Sequence, residues 1–171
     1  MTIAGWKIRE VTLPVLDTYG TLPVWQFSAF ESLRRFKDRL ATHGSKMDRR
    51  VRVRMERGFE ISEADFAATL AKRAELIAAF RSEIGDALVL LPTVVIQPPH
   101  FDDVDTDEGF SRLNLLTLRN TSLANVMDGC SISLPYGQGD GLIGAMLTSS
   151  GGQDETLLGA ALAMESDLTN G

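Results

Sequence analysis

The 171-residue chain has 17 basic and 23 acidic residues, and its formal net charge of -6 argues against a nucleic-acid surface, because phosphate binding requires a basic patch. Its hydrophobic content of 44% and charged content of 23% are typical of a globular protein and exclude a disordered or fibrous chain. A chain of this length can bury one sizeable core and is short for two, so we expect a single domain over residues 1–171.

The N-terminal residues predict a strand and then a helix. Apolar and polar residues alternate over residues 6–16, which predicts a strand, and residues 17–23 are expected to form a loop. Ser28 is followed three residues later by Glu31, which is the spacing of a capping box and predicts a helix start. Gly44 is expected to end this helix in the left-handed conformation.

Two further helices are indicated by capping residues. Asp48 is expected to cap a short helix that runs to about Arg57. Ser62 and Asp65 repeat the capping signal, and apolar residues keep helical spacing from there until Gly85. This last helix leads directly into the most apolar stretch of the chain.

Residues 86–99, DALVLLPTVVIQPP, predict a strand that is buried on both faces and around which the fold is built. Proline has no N–H for a sheet, so the strand is expected to stop near Leu91, before Pro92, and to continue as an extended loop. A helix that delivers the chain into a buried strand is half of a βαβ unit. We therefore predict an α/β fold with a mixed, partly parallel β-sheet flanked by α-helices.

The C-terminal part predicts two more helices and a hairpin. Residues 100–109 are expected to form an acidic loop, and a helix is expected over residues 110–127. Short strands are predicted at residues 130–135 and 142–148, around a turn that contains Asp140 and Gly141. Asp154 is expected to begin a last amphipathic helix, whose inward-facing residues are predicted to be Leu157, Leu158, Ala161, Leu162 and Met164.

Two motif fragments have a structural explanation that fits better than a ligand site. Asp103, Asp105 and Asp107 alternate as at the start of a calcium loop, but the pattern then fails, because its glycine is one place late and its twelfth position is not glutamate. Gly139, Gly141 and Gly144 satisfy GxGxxG, yet they lie between two predicted strands, whereas a dinucleotide fingerprint precedes a helix. We expect a solvated loop and a hairpin at these places.

Cysteine, histidine and serine likewise give no catalytic prediction. Nothing in the sequence brings His43 or His100 near Cys130, and two distant histidines are too few for a metal site. A lone cysteine excludes an internal disulfide and fits a reducing compartment. No signal pattern and no apolar run of about 18 residues is present, so we expect a cytoplasmic protein that has no membrane contact.

Several motifs together resemble the C-terminal half of the amidase-signature hydrolases. The order and spacing of these motifs carry the resemblance, which covers about residues 44–168. They are the strand DALVLLPT (residues 86–93), the helix end with Thr121, Asn125 and Gly129, the turn SLPYG (residues 133–137), the hairpin DGLIG (residues 140–144), and the closing helix with DETLL and Glu165. The chain departs from the family's usual residues at Cys130, Ile143 and Met146.

The resemblance implies that the catalytic groups are missing. Such amidases cleave C–N amide bonds with a serine that is activated through a second serine and a lysine, and all of these groups belong to the N-terminal half. The tetrapeptide from Ser149 to Gly152 has the composition of the signature loop, but no lysine follows Lys72, and a nucleophile without a positioned base is not a catalytic site. We expect a turn that leads into Asp154, no catalytic residue, and no activity of the chain alone.

We therefore interpret the chain as the truncated, non-catalytic C-terminal part of an amidase-type hydrolase. It is expected to complete the sheet and to form one wall of a pocket for a small-molecule amide, with Thr93, Thr121 and Asn125 binding substrate and with neither metal nor cofactor. A bare sheet edge predicts association with a missing N-terminal half or with further copies of the chain. The alternative is a non-catalytic binding or oligomerisation module derived from an amidase.

Overall fold

The computed structural model describes residues 2–3, 6–137 and 143–169, and the side chains of residues 6–137 and 143–165. The predicted turn at Asp140 and Gly141, and the glycine pattern that includes Gly139, therefore lie outside the described residues. Contacts divide the chain into two compact units. The terminal unit comprises Met1–Val15 and Ile77–Gly171, and the helical unit comprises Leu16–Leu76. The expectation of a single domain stays a prediction.

The terminal unit holds the strands and the last two long helices. Strands β1 (Thr2–Ile3) and β2 (Trp6–Lys7) form a small antiparallel pair. The remaining elements are β3 (Val89–Pro92), a 3₁₀ turn (Phe101–Val104), α5 (Asp107–Val126), β4 (Cys130–Tyr136), β5 (Ile143–Ser149) and α6 (Asp154–Thr169).

The core of the terminal unit forms between α6 and the sheet. On α6, Leu157, Ala161 and Met164 follow the 3.6-residue period and pack against Leu134 of β4 and Leu147 of β5. All five side chains are at most 5% exposed. The amphipathic pattern that predicted a helix from Asp154 onwards is thus also the reason why this helix covers the sheet.

The sheet is antiparallel throughout, so the prediction of a partly parallel sheet is wrong. Its strand order is β3-β5-β4, with Val89 opposite Thr148 and Leu134 opposite Ala145. Strand β3 is therefore an edge strand, whereas we expected a strand buried on both faces, and Leu90 is 38% exposed. The α/β composition is as predicted.

Pro92 lies at the end of this edge strand, opposite Ala145, one residue beyond the predicted stop. An edge position tolerates a proline, since an edge residue needs only one hydrogen-bonding side. Pro92 therefore belongs to the strand that we expected it to end, and its edge position explains why the sheet accommodates it.

The helical unit contains α1 (Val15–Tyr19), whose first residue belongs to the terminal unit, then α2 (Trp25–His43), α3 (Arg49–Glu56), and the first part of α4 (Glu63–Ile84). Short 3₁₀ turns lie at Gly44–Lys46 and Arg57–Glu60. Phe30 of α2 stacks on Phe66 of α4, with ring centroids 4.1 Å apart. Aromatic stacking of this kind adds to the free energy gained by burying the rings.

The prediction of a strand over residues 6–16 and a loop over residues 17–23 is wrong. The strand ends at Lys7, and a short helix occupies Val15–Tyr19. Pro14 fixes a helical φ just before that helix, and the Val15 amide donates to both carboxylate oxygens of Glu83, at 3.1 and 3.2 Å. Val11 is 58% exposed, so the alternating pattern does not contribute a core face there.

The capping predictions differ in outcome. Asp48 accepts hydrogen bonds from the amides of Arg50 and Val51, and Ser62 forms a reciprocal pair with Asp65, so both predicted caps are confirmed. Gly85 has φ +55° and ends α4 as expected. The predicted start and end of α2 were both wrong. The helix begins at Trp25, three residues before Ser28, and Gly44 has φ -57° and continues into a 3₁₀ turn.

Candidate functional site

An open cavity lies where the chain leaves the sheet at the end of β3. Its volume is about 480 Å³, and it is lined by residues 93–99, Thr117, Ile143 and Gly144. The Thr93 amide still donates to the Gly144 carbonyl, at 2.7 Å, so the loop starts from a position that the sheet fixes. The cavity therefore sits at a strand end, which is where we expected the pocket wall.

The side chain of Thr93 forms a second hydrogen bond. Its Oγ1 atom lies 2.5 Å from the hydroxyl of Ser133 in the middle of β4, so the residue that follows β3 is joined to β4 across β5. A Cβ atom on Gly144 would lie 2.5 Å from Thr93 Oγ1 and 2.7 Å from Ser133 Oγ. Only glycine at position 144 leaves room for this hydroxyl pair.

Asn120 of α5 fixes the same strand end from the other side. Its side chain is 8% exposed, and its Nδ2 atom donates to the Pro92 carbonyl at 2.6 Å. Arg119 Nε in turn donates to Asn120 Oδ1 at 3.4 Å. The sequence analysis missed Asn120. Its spacing from Leu113 and Leu123 places it on the buried face of α5, and a polar residue on a buried face indicates a hydrogen-bonded side chain.

Replacing Asn120 by Leu should lower the free energy of unfolding by about 1–3 kcal/mol, because the Pro92 carbonyl loses the donor that the buried Asn120 side chain supplies. Urea unfolding followed by circular dichroism measures this loss, and the Thr93 amide resonance should shift because the strand end is released. Thr121→Ala is the matched control on the same helix, since that hydroxyl donates only to Leu118 within α5. Equal losses in both variants would contradict the role assigned to Asn120.

The three predicted substrate-binding residues are not all in one place. Thr93 lines the cavity, whereas Thr121 and Asn125 do not belong to its lining. The helix instead contributes Thr117, one turn before Thr121, because residues four apart share a helix face. The substrate-binding role of Thr93, Thr121 and Asn125 stays a prediction.

The loop at Ser149 and Ser150 is buried, with 4% and 6% of these residues exposed. Ser149 closes β5 opposite Cys130, and Cys130 Sγ donates to the Ser150 carbonyl at 3.6 Å. By contrast, all four lysines of the chain, at positions 7, 37, 46 and 72, are exposed. The buried serines and the lysines thus occupy different environments.

The remaining candidate groups are engaged in local contacts. The imidazole of His43 bonds to the hydroxyl of Thr42, and the backbone amide of His100 donates to the carboxylate of Asp103. Burial raises the pKa of Tyr19, which is not part of the cavity lining.

Within the described ranges no group of three His, Cys, Asp or Glu residues is placed to hold a metal ion. No helix of the described chain has the length and apolar character needed to cross a membrane.

No protein-family profile matches the chain. The curated 2-amino-5-chloromuconic acid deaminase of Comamonas testosteroni is 27% identical over 129 residues, which are 74% of this chain and 28% of that protein. The chain thus spans about a quarter of the length of that relative.

Several solved structures have a fold similar to that of this chain. The fold is similar to that of an amidase, with a TM-score of 0.76 and 19% identity, over 96% of this chain and 38% of that one. An allophanate hydrolase from Kluyveromyces lactis gives a TM-score of 0.79 and 22% identity, over 95% and 27%. For 6-aminohexanoate cyclic dimer hydrolase complexed with substrate the values are 0.75 and 21%, over 94% and 37%. At these identities the likeness concerns the fold, and it confirms the resemblance of the motifs: the chain has the fold of one part of an amidase-signature hydrolase.

Proposed function

We propose that this chain is the C-terminal part of an amidase-type hydrolase, in which it completes the sheet and forms one wall of the pocket for a small-molecule amide. The observation that carries the proposal is the coverage of the structural matches. Nearly all of this chain matches amidase structures, and it accounts for only 27–38% of their length. A chain of this size would therefore form only part of the active site of such an enzyme, and the rest of the enzyme would supply the remaining residues.

The surface of the chain supports a covering partner. Strand β3 is a sheet edge with Leu90 38% exposed, and Leu158 and Leu162 on α6 are 52% and 67% exposed. Bare sheet edges and exposed apolar side chains are typical of surfaces that pair with another chain. We propose association with the remaining part of the hydrolase or with further copies of this chain.

The serine residues support a non-catalytic role. A serine nucleophile needs a base within hydrogen-bond reach and donors for the developing oxyanion. Ser149 at the end of β5 and Ser150 just after it are buried, and the lysines are exposed. The catalytic serines and lysine of the proposed enzyme would thus come from its other part.

A turnover assay on a panel of aryl and alkyl amides tests this proposal. The chain alone is expected to show no turnover above the uncatalysed rate, and Ser149→Ala and Ser150→Ala are expected to change nothing. Mixing the chain with an amidase-like N-terminal part encoded beside it should restore turnover.

Two outcomes would contradict the proposal. Robust turnover by the chain alone that is abolished by either serine substitution would place the nucleophile in this chain. A monomer by light scattering at all concentrations, which also fails to bind the N-terminal part, would remove the association. Binding without turnover would instead favour a module that kept the amidase fold and lost its chemistry.

A further inference from the structure

The cavity at the end of β3 is lined by uncharged groups. Its volume of about 480 Å³ falls within the usual range for small-molecule sites. Six of its ten lining residues are apolar, namely Val94, Val95, Ile96, Pro98, Pro99 and Ile143. No acidic or basic side chain is part of this lining among the described residues.

Most of the polar groups in the lining are already engaged. Thr93 is paired with the Ser133 hydroxyl, and Thr117 donates to the Leu113 carbonyl at 2.9 Å. Gln97 is exposed and makes no side-chain hydrogen bond with the described residues. Its carboxamide has both a donor and an acceptor, the two groups that complement another amide. The wall therefore presents hydrocarbon together with one free amide group.

We propose that this cavity takes up the hydrocarbon part of an uncharged amide, with Gln97 pairing to the amide group, and that it discriminates against carboxylates. The inference rests on the proposed function, because it names the substrate class of the same pocket wall. A carboxylate removed from water needs a charged or multiply donating partner, and the described lining has none.

The net charge of the chain also disfavours the binding of carboxylates. With a formal charge of -6, the protein produces a field that disfavours the approach of anions. The curated relative is named for an acid, 2-amino-5-chloromuconic acid. The inference therefore predicts that this chain differs from that relative in the charge of the ligand that it accepts.

Phenylacetamide and phenylacetate form a matched pair of probes, because both have the same ring and the acetate is ionised at pH 7. We expect phenylacetamide to shift the amide resonances of Thr93, Ile143 and Gly144 in the ¹⁵N-labelled full chain. Phenylacetate should bind more weakly by about tenfold or more. Acetamide, which lacks the hydrocarbon part, should give no shift at the same concentration.

A lysine in the wall should reverse this preference. Val94 is 39% exposed, so a lysine there need not bury its charge, and Val94→Lys should strengthen phenylacetate binding by about tenfold or more. Val11→Lys is the matched control, since it makes the same substitution at a position that is 58% exposed and outside the lining, and it should leave the preference unchanged.

Equal affinity for the two probes, tighter binding of phenylacetate, or no shift at the cavity with phenylacetamide would each overturn the inference. These results are distinct from failure of the proposed function, which turnover in the presence of the N-terminal part measures. A reconstituted enzyme that is active without this preference would refute only the inference. A chain that binds phenylacetamide but never takes part in turnover would refute only the proposed function.

Discussion

Replacing Phe80 by Ala is expected to lower the free energy of unfolding by about 3–5 kcal/mol, because it removes a large side chain from a packed interior and leaves a cavity. Phe80 lies in α4 and is 0% exposed, the most deeply buried large side chain of the described residues. A loss of this size is a large fraction of the stability of a typical domain, about 5–15 kcal/mol.

Urea titration monitored by far-ultraviolet circular dichroism measures the effect of Phe80→Ala. Phe101→Ala is the control, since this ring is 90% exposed in the 3₁₀ turn and its removal should change the stability by no more than about 0.5 kcal/mol. If the two alanine variants unfold at the same denaturant concentration, the burial of Phe80 does not contribute to stability as we infer.

Gly58→Ala is expected to lower the free energy of unfolding by about 2–3 kcal/mol through overpacking. Gly58 lies in the 3₁₀ turn that packs on α2, where an added Cβ would lie 2.5 Å from the Ala29 carbonyl oxygen and 2.7 Å from Leu33 Cβ. Both neighbours belong to or adjoin the helix backbone, so they cannot move away as the end of a flexible side chain can.

Gly159→Ala is the control for this substitution, because Gly159 lies in α6 with nothing within 4 Å of an added Cβ. Alanine is a better helix former than glycine, so this variant should become more stable by about 0.5–1 kcal/mol. Thermal unfolding of both variants therefore tests the sign as well as the size of the two effects. A Gly58→Ala protein that is as stable as the unchanged chain would show that the turn relaxes away from α2.

The edge position of β3 is consistent with the finding that this chain matches only 27–38% of the length of similar structures. A strand that lies at the periphery of this chain can still lie inside the sheet of a protein about three times as long, if the remaining part adds strands beyond it. Such pairing supplies hydrogen-bond partners to the exposed edge. The wrong prediction of an interior strand and the confirmed amidase fold are thus compatible within the proposed function.

The amino-acid sequence by itself determined most of the helices. Asp48, the pair Ser62 and Asp65, and Asp154 are signals that act over one helical turn, so each can be recognised without knowledge of the rest of the fold. The spaced apolar residues of α6 predicted the packing of Leu157, Ala161 and Met164 on the sheet, but Leu158 and Leu162, which were also expected to face inward, are 52% and 67% exposed. Where a local signal misled, as at Ser28 and Gly44 of α2, neighbouring residues continued the helical conformation past it.

Only the tertiary structure decided whether the strands run parallel or antiparallel and which residues line the cavity. Val89 pairs with Thr148, a partner far along the chain, and no local pattern specifies whether such a pair runs parallel or antiparallel. Thr93 and Thr117 line the cavity, whereas Thr121 does not. The choice of Thr117 over Thr121, and the burial of Asn120 against Pro92, depend on how α5 is rotated against the strand end. That rotation is set by packing among distant residues, which periodicity and composition do not encode.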